Sequence, residues 1–127
     1  MSSRTSFLPL LALLFLLCAR GTGPLAAQTS GEEAAVRQAL GYYVQGHATA
    51  NPEVMARAFH PEAHLTYVVD DGSVRTISLA DFLGGMTGRP APDEAQRVRT
   101  IELVDIGGTA AVGKIILDYP SIRFVDY

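Results

Sequence analysis

The chain has 127 residues, with 13 acidic and 10 basic side chains and a formal net charge of −3 at pH 7. This length is enough for one domain, and no composition shift or linker marks a second one. Because the basic residues form no stripe, nucleic acid is not an expected partner.

The first residues have the features of a secretory signal peptide. Arg4 gives a positive start, an apolar run follows from Phe7 to Ala19, and Leu25-Ala26-Ala27 offers a cleavage site before Gln28. The run is shorter than the roughly 20 residues of a comfortable membrane span. We therefore predict a signal peptide over residues 1–27 and a periplasmic or secreted domain over residues 28–127. An uncleaved N-terminal anchor is the alternative.

Cysteine usage limits the chemistry of the predicted mature domain. Cys18 is the only cysteine, so a domain that begins at Gln28 has none. A disulfide, a thiolate nucleophile and a cysteine-ligated metal site are then excluded. Without Arg4 and Arg20, eight basic residues remain against 13 acidic ones, for a net charge of −5. We expect this acidic domain to have no membrane partner after cleavage.

Two helices are predicted at the start of the mature domain. Ser30-Gly31-Glu32-Glu33 has the pattern of a capping box, and Asn51-Pro52-Glu53 has an asparagine cap followed by proline in the first turn. Apolar side chains recur at helical spacing on one face of each helix. These faces hold Val36, Ala39, Leu40, Tyr43, Val44 and His47 in the first helix, and Met55, Ala58 and Phe59 in the second.

The segment Phe59-His60-Pro61-Glu62-Ala63 predicts a sharp corner after the second helix. Proline cannot extend a helix, and it moves the residue before it out of the α region. His60 and His64 have the four-residue spacing of two metal ligands on a helix, but Pro61 breaks that helix. We therefore predict no metal site, and expect His60 to cap the corner by hydrogen bonding.

Strands and one short helix are predicted after the corner. Asp71-Gly72 fits a hairpin turn, Ser78 fits a helix cap, and Gly107-Gly108 fits a second turn. Alternating side chains predict strands over residues 63–70, 74–78, 96–106, 109–119 and 122–127.

Three segments together resemble the nuclear transport factor 2-like (NTF2-like) superfamily. They are Tyr42-Tyr43-Val44, the Phe59–Ala63 corner and the run from Ala110 to Tyr127. The sequence is similar to the bacterial branch described as putative lumazine-binding or SnoaL-like proteins. The resemblance implies an α+β cone, with N-terminal helices packed on a curved, mainly antiparallel sheet. Since such relatives usually continue with further strands, residues 28–127 are interpreted as a C-terminally truncated NTF2-like domain.

Ketosteroid isomerases share the fold that this resemblance implies. Counted from the corner without a gap, their oxyanion-donating tyrosine falls on Tyr43 and their general-base aspartate falls on Tyr67. A tyrosine hydroxyl, with an ordinary pKa of about 10, cannot replace a carboxylate as base at neutral pH. Steroid-type isomerase activity is therefore disfavoured. Asp126 is the carboxylate nearest to the third catalytic position of these enzymes.

Three side chains are candidates for acid–base catalysis: His64, Asp118 and Asp126. His64 is the best general base if it points into the cone, because imidazole exchanges a proton near neutrality; otherwise it is a surface or interface histidine. Asp118 either faces the cavity, lies exposed, or pairs with Lys114 on the same strand face. By contrast, His47 is interpreted as a polar helix-end residue that favours the helix dipole.

Three hypotheses about function follow. The leading one is an exported domain that binds a small apolar molecule in its cone, with no cofactor or metal. The second is a proton-transfer enzyme of the cyclase, isomerase or dehydratase type that uses His64 with Asp118 or Asp126, and Tyr43 as oxyanion donor. The third is a homodimeric interaction module; Arg97 and Arg99 could then pair with carboxylates at its interface, with a solvated face as the default. The expected ligand-binding residues are Tyr43, Phe59, Tyr67 and Phe82.

Overall fold

The computed structural model describes the backbone of residues 23–127 and the side chains of residues 31–127. The expected α+β architecture is confirmed, and no helix among the described residues is long and apolar enough to cross a membrane. Residues 1–22, most of the predicted signal peptide, lie outside the described part. In chain order, the helices and strands are α1 (Gly23–Thr49), α2 (Pro52–Ala56), β1 (His64–Val68), β2 (Val74–Ser78), α3 (Leu79–Gly84), a 3-10 turn (Glu94–Gln96), β3 (Val98–Gly107), β4 (Ala110–Tyr119) and β5 (Ile122–Asp126).

Helix α1 begins earlier than the capping pattern indicated. Its first residue is Gly23, so Ser30 lies inside the helix and the predicted start at Ser30 is wrong. Pro24 is compatible with the first turn, where its missing N–H has no partner to lose. Leu25-Ala26-Ala27-Gln28 then consists of good helix formers, which extend the helix through the capping pattern.

The second helix and the corner after it follow the prediction. The Asn51 side chain accepts hydrogen bonds from the backbone N–H of Glu53 at 2.8 Å and of Val54 at 3.2 Å. At the corner, His60 Nδ1 accepts from the Glu62 N–H at 3.3 Å, and the His60 carbonyl accepts from the Ala63 N–H at 2.9 Å. The capping role predicted for His60 is therefore confirmed, and the chain enters β1 in a fixed direction.

The five described strands form two antiparallel sheets. Strands β1 and β2 make a hairpin in which His64 lies opposite Ser78 and Val68 lies opposite Val74. Strands β3, β4 and β5 make a meander, with a register shift in β3 between Ile101 and Leu103. Each sheet therefore has its own edge strands, and β1 and β5 are edge strands of different sheets.

The core lies between α1, α2 and one face of the meander. Met55 in α2 is fully buried, and Ile115 and Leu117 in β4 are 4% and 2% exposed. Glycine permits the close approaches around them. A Cβ atom on Gly46 would lie 2.8 Å from Met55 Cα, and one on Gly113 would lie 2.7 Å from the Leu40 methyl carbons. Helix α1 is thus pressed against both α2 and β4.

Three basic side chains in or next to the meander have carboxylate partners within the chain. Arg97 Nε donates to Asp93 at 2.8 Å, and Arg99 donates to both oxygens of Glu94 at 2.6 and 2.8 Å. Because these carboxylates are close in sequence and in the same chain, the arginines neither form a solvated face nor need a second subunit as partner. Lys114 likewise pairs with Glu102 on neighbouring β3, and not with Asp118.

Candidate functional site

An open cavity of about 580 Å³ lies between α1, the turn after α2, and the two strands β1 and β5. These strands belong to different sheets. Consecutive residues line the cavity on both sides, 64–68 from β1 and 123–127 from β5 and the residue after it. Because alternate residues of a strand point to opposite faces, consecutive lining means that the cavity borders the strand edges as well as their faces.

The cavity wall contains one long-range hydrogen bond. The Tyr43 hydroxyl on α1 donates to Asp126 Oδ2 on β5 at 2.5 Å, and both residues line the cavity. Burial, followed by the hydrogen bond to Asp126 and its negative charge, holds the pKa of Tyr43 far above its ordinary value. At neutral pH, Tyr43 therefore keeps its proton and remains the donor.

Tyr43 is held in place by an aromatic cluster that consists of Tyr43, His47, Phe59 and Phe82. The Tyr43 ring meets the rings of His47 and Phe59 edge-on, at centroid distances of 4.6 and 5.8 Å. Phe82 on α3 contacts His47 at 6.2 Å and Phe59 at 6.4 Å. Edge-to-face contacts at these distances are favourable, so the cluster fixes the direction in which the Tyr43 hydroxyl points.

The burial of His47 was not predicted from the sequence. Its ring lies inside the aromatic cluster, and its Nε2 is buried without a hydrogen-bond partner among the described residues. Burial is the main reason that the pKa of His47 lies below its ordinary value; the charges of Arg99 and Arg97 lower it further, and Asp126 and Glu94 oppose the shift. The available signal was its position four residues after Tyr43 on the same helix face.

The expected ligand-binding residues lie at or next to the cavity. Tyr43, Phe59 and Tyr67 line it, and Tyr67 is 44% exposed. Phe82 does not line it; it supports Phe59 and His47 from behind. The sequence analysis had not singled out Arg123, which lines the cavity from β5. The alternation of side chains in β5 indicates which face each residue is on, but it does not indicate that a cavity borders the edge of the strand.

The three candidate acid–base residues are not equivalent. His64 and Asp126 line the cavity, but Asp118 is exposed on β4 and does not. Asp126 lies opposite Ile115 of β4, so its side chain is on the same sheet face as that of Ile115. Asp118 is three residues after Ile115 on β4, and its side chain is therefore on the opposite face. Among the described residues, His64 forms no side-chain hydrogen bond with either carboxylate. Nor does this part of the chain contain a group of three or more metal-ligating side chains.

Sequence comparison identifies the family. A family model described as "Putative lumazine-binding" matches residues 31–127. The chain belongs to this family. A similar solved structure is that of an NTF2-like protein of unknown function from Shewanella baltica OS155, with a TM-score of 0.66 and 25% identity over 76% of this chain and 77% of that chain. The expected membership of the NTF2-like superfamily is thereby confirmed. No curated protein matches the sequence.

Proposed function

We propose that this domain binds a small, mostly apolar molecule in the cavity between α1, β1 and β5. The main support is the cavity itself, whose volume of about 580 Å³ falls within the range of roughly 300–1,000 Å³ that is typical of ligand pockets. Apolar side chains such as Leu40, Phe59 and Ile115 form much of its wall. The Tyr43–Asp126 pair adds the few polar atoms that orient a ligand in such a pocket.

The family description suggests a first probe. Lumazine is a flat bicyclic ring, and flat rings suit a wall that contains Phe59, Tyr67 and Phe124. A ligand that binds only the folded state raises the melting temperature, and the rise grows with the logarithm of its concentration above the dissociation constant. We expect lumazine, or an anilinonaphthalene sulfonate dye as a general apolar probe, to raise the melting temperature of the full chain. The absence of a shift with both compounds at millimolar concentration would refute the proposal.

A pair of variants locates the binding site. Thr66 on β1 lines the cavity, and Thr76 lies directly opposite it on β2, outside the lining. The two exposed hydroxyls are 2.9 Å apart, so either substitution removes the same contact. Thr66→Trp should fill the cavity and abolish the thermal shift, whereas Thr76→Trp should preserve it. Equal shifts in both variants would place the ligand elsewhere.

A proton-transfer activity is the second candidate, supported by His64 and Asp126 lining one cavity. Two features weigh against it: Asp118 lies outside the cavity, and the Tyr43 proton that would stabilise an oxyanion is already donated to Asp126. The activity predicts that the protein exchanges the α-protons of a cyclic ketone with deuterated solvent, and that His64→Gln abolishes the exchange. Exchange at the rate of buffer alone would contradict it.

A homodimer is the third candidate. Val98, Leu103, Val112 and Val125 are 59%, 48%, 41% and 46% exposed and lie on the face of the meander that is turned away from α1. A group of exposed apolar side chains on one sheet face is typical of an interaction surface. We expect a dimer in solution by light scattering, converted to a monomer by Leu103→Lys but not by Val74→Lys on β2. A wild-type monomer at micromolar concentration would contradict this proposal.

Export of the domain is also proposed, on the basis of the apolar run from Phe7 to Ala19 and the small residues before Gln28. Expression of the full chain in a bacterium with a periplasm, followed by fractionation and intact mass measurement, tests it. The expected product begins at Gln28 and lies in the periplasmic fraction. A full-length product in the cytoplasmic fraction would contradict the proposal.

A further inference from the structure

The Tyr43–Asp126 pair has a fixed hydrogen-bonding direction. A tyrosine hydroxyl has a single proton to donate, and that of Tyr43 is donated to Asp126 Oδ2 at 2.5 Å. Like any tyrosine with a pKa near 10, Tyr43 carries this proton at neutral pH, and burial and the neighbouring carboxylate raise its pKa further. The pair therefore presents lone pairs to the cavity.

Asp126 has acceptor positions beyond the one that Tyr43 occupies. An ionised carboxylate has two oxygens with about four lone-pair sites. Among the described residues, Tyr43 is the one side-chain donor to this carboxylate, which is only partly exposed and borders the cavity. A carboxylate that is partly removed from water and short of donors is unfavourable. A ligand that supplies a further donor would complete its hydrogen bonding.

We infer that the ligand is a flat, mostly apolar molecule that points an N–H donor at Asp126. This inference rests on the small-molecule binding proposed above and adds the polarity of the ligand. Flatness follows from the rings of Phe59, Tyr67 and Phe124 in the cavity wall. A carbonyl or enolate oxygen aimed at the pair would instead meet two acceptors, which is the reverse of the oxyanion-donating role that the ketosteroid isomerase comparison assigned to Tyr43.

Pairs of probes that differ only in N-methylation test the inference. Lumazine is compared with 1,3-dimethyllumazine, and indole with N-methylindole, by calorimetric titration of the full chain at neutral pH. A hydrogen bond to a charged group contributes more than one between neutral groups, and losing it lowers affinity by roughly a factor of ten or more. We therefore expect the N–H member of at least one pair to bind roughly tenfold or more tightly than its methylated analogue.

Two substitutions separate the members of the Tyr43–Asp126 pair. Asp126→Asn replaces one acceptor oxygen by an amide donor, so the preference for the N–H probe should fall to about equal binding. Tyr43→Phe leaves the carboxylate in place, so the preference should persist. Asp105→Asn changes an exposed carboxylate on β3 outside the cavity lining and should leave binding unchanged. Circular dichroism shows whether each variant is folded; if Asp126→Asn is not, the wild-type protein and Tyr43→Phe still give the comparison.

The outcomes distinguish this inference from the proposal on which it rests. Equal binding within both probe pairs would overturn the inference and leave small-molecule binding intact. An N–H preference that survives in folded Asp126→Asn would also overturn it, because another group would then accept the donor. If neither probe pair nor the naphthalene dye binds, small-molecule binding itself is refuted, and the inference with it.

Discussion

The Tyr43 hydroxyl and the Asp126 carboxylate, 83 positions apart in sequence, form a 2.5 Å hydrogen bond that joins helix α1 to the last described strand. Tyr43 is buried enough for its pKa to rise, so this bond contributes more than an exposed one. The bond therefore connects the two sides of the cavity. It also leaves hydrogen-bond acceptors, and not the Tyr43 proton, facing a ligand.

Tyr43→Phe should destabilise the domain. The substitution keeps the ring in the aromatic cluster but removes the donor to Asp126, at a cost of about 1–3 kcal/mol. Denaturant unfolding measures the free energy of unfolding. Tyr42→Phe is the matched control, since Tyr42 accepts an exposed hydrogen bond from Arg57 and should change stability by less than about 0.5 kcal/mol. Equal effects of the two substitutions would contradict a special role for the Tyr43–Asp126 bond.

Gly46→Ala should separate α1 from α2. The new methyl group would lie 2.8 Å from Met55 Cα, a backbone atom that a rotamer change cannot move, and the expected loss is about 1–3 kcal/mol. Gly41→Ala in the same helix meets nothing within 4 Å and should stabilise the domain by up to about 1 kcal/mol. Thermal unfolding of both variants checks the opposite signs. A stabilising Gly46→Ala would show that the packing described here is wrong.

The stability of the domain should depend on His47 in mildly acidic solution. Its pKa in the folded state lies below the ordinary value of 6.5, chiefly because of burial, so the unfolded state binds the proton more readily. The contribution of neutral His47 is therefore present above about pH 6.5 and is lost as the pH falls towards the folded-state pKa.

Unfolding free energies measured from pH 7.5 to pH 5 test this dependence. His47→Phe retains a ring between Tyr43 and Phe82 and should flatten the curve over this range. If the unfolding free energy changes with pH equally in the wild type and in His47→Phe, groups other than His47 cause the pH dependence.

The Arg99–Glu94 ion pair should stabilise the folded domain. Arg99 has a side chain only 5% exposed, with two hydrogen bonds to Glu94 and one to Tyr119. Arg99→Gln should cost about 2 kcal/mol, because Glu94 loses its charged partner. Arg37→Gln breaks the exposed pair with Glu33 and should cost less than about 0.5 kcal/mol. Urea unfolding compares the two, and an equal cost would show that the burial of Arg99 does not strengthen its contribution to stability.

The sequence predicted those parts of the fold that depend on interactions between neighbouring residues. The corner at Pro61, the cap at Asn51 and the alternation in β3 and β4 each depend on neighbouring residues, and each is present in the structure. The start of α1 was mispredicted at Ser30, because good helix formers before the capping pattern extend the helix.

The site was less predictable because it depends on contacts between distant segments. The bond between Tyr43 and Asp126 requires the register of β5 on β4, which a single strand pattern does not specify. The burial of His47 similarly depends on Phe82, which α3 brings from another part of the chain. Sequence periodicity placed Tyr43 and His47 on the correct helix face, but it could not show what covers that face.

Binding in the cavity is tested most directly by titrating the ¹⁵N-labelled full chain with lumazine and, separately, with the anilinonaphthalene sulfonate dye, followed by backbone amide chemical shifts. Binding there predicts shift changes that saturate and are largest at the residues that line the cavity, which are 64–68 of β1, 123–127 in and just after β5, and Tyr43. Spectra unchanged by an excess of both compounds, or changes confined to residues outside the lining such as Gly108 and Thr109, would contradict binding in this cavity.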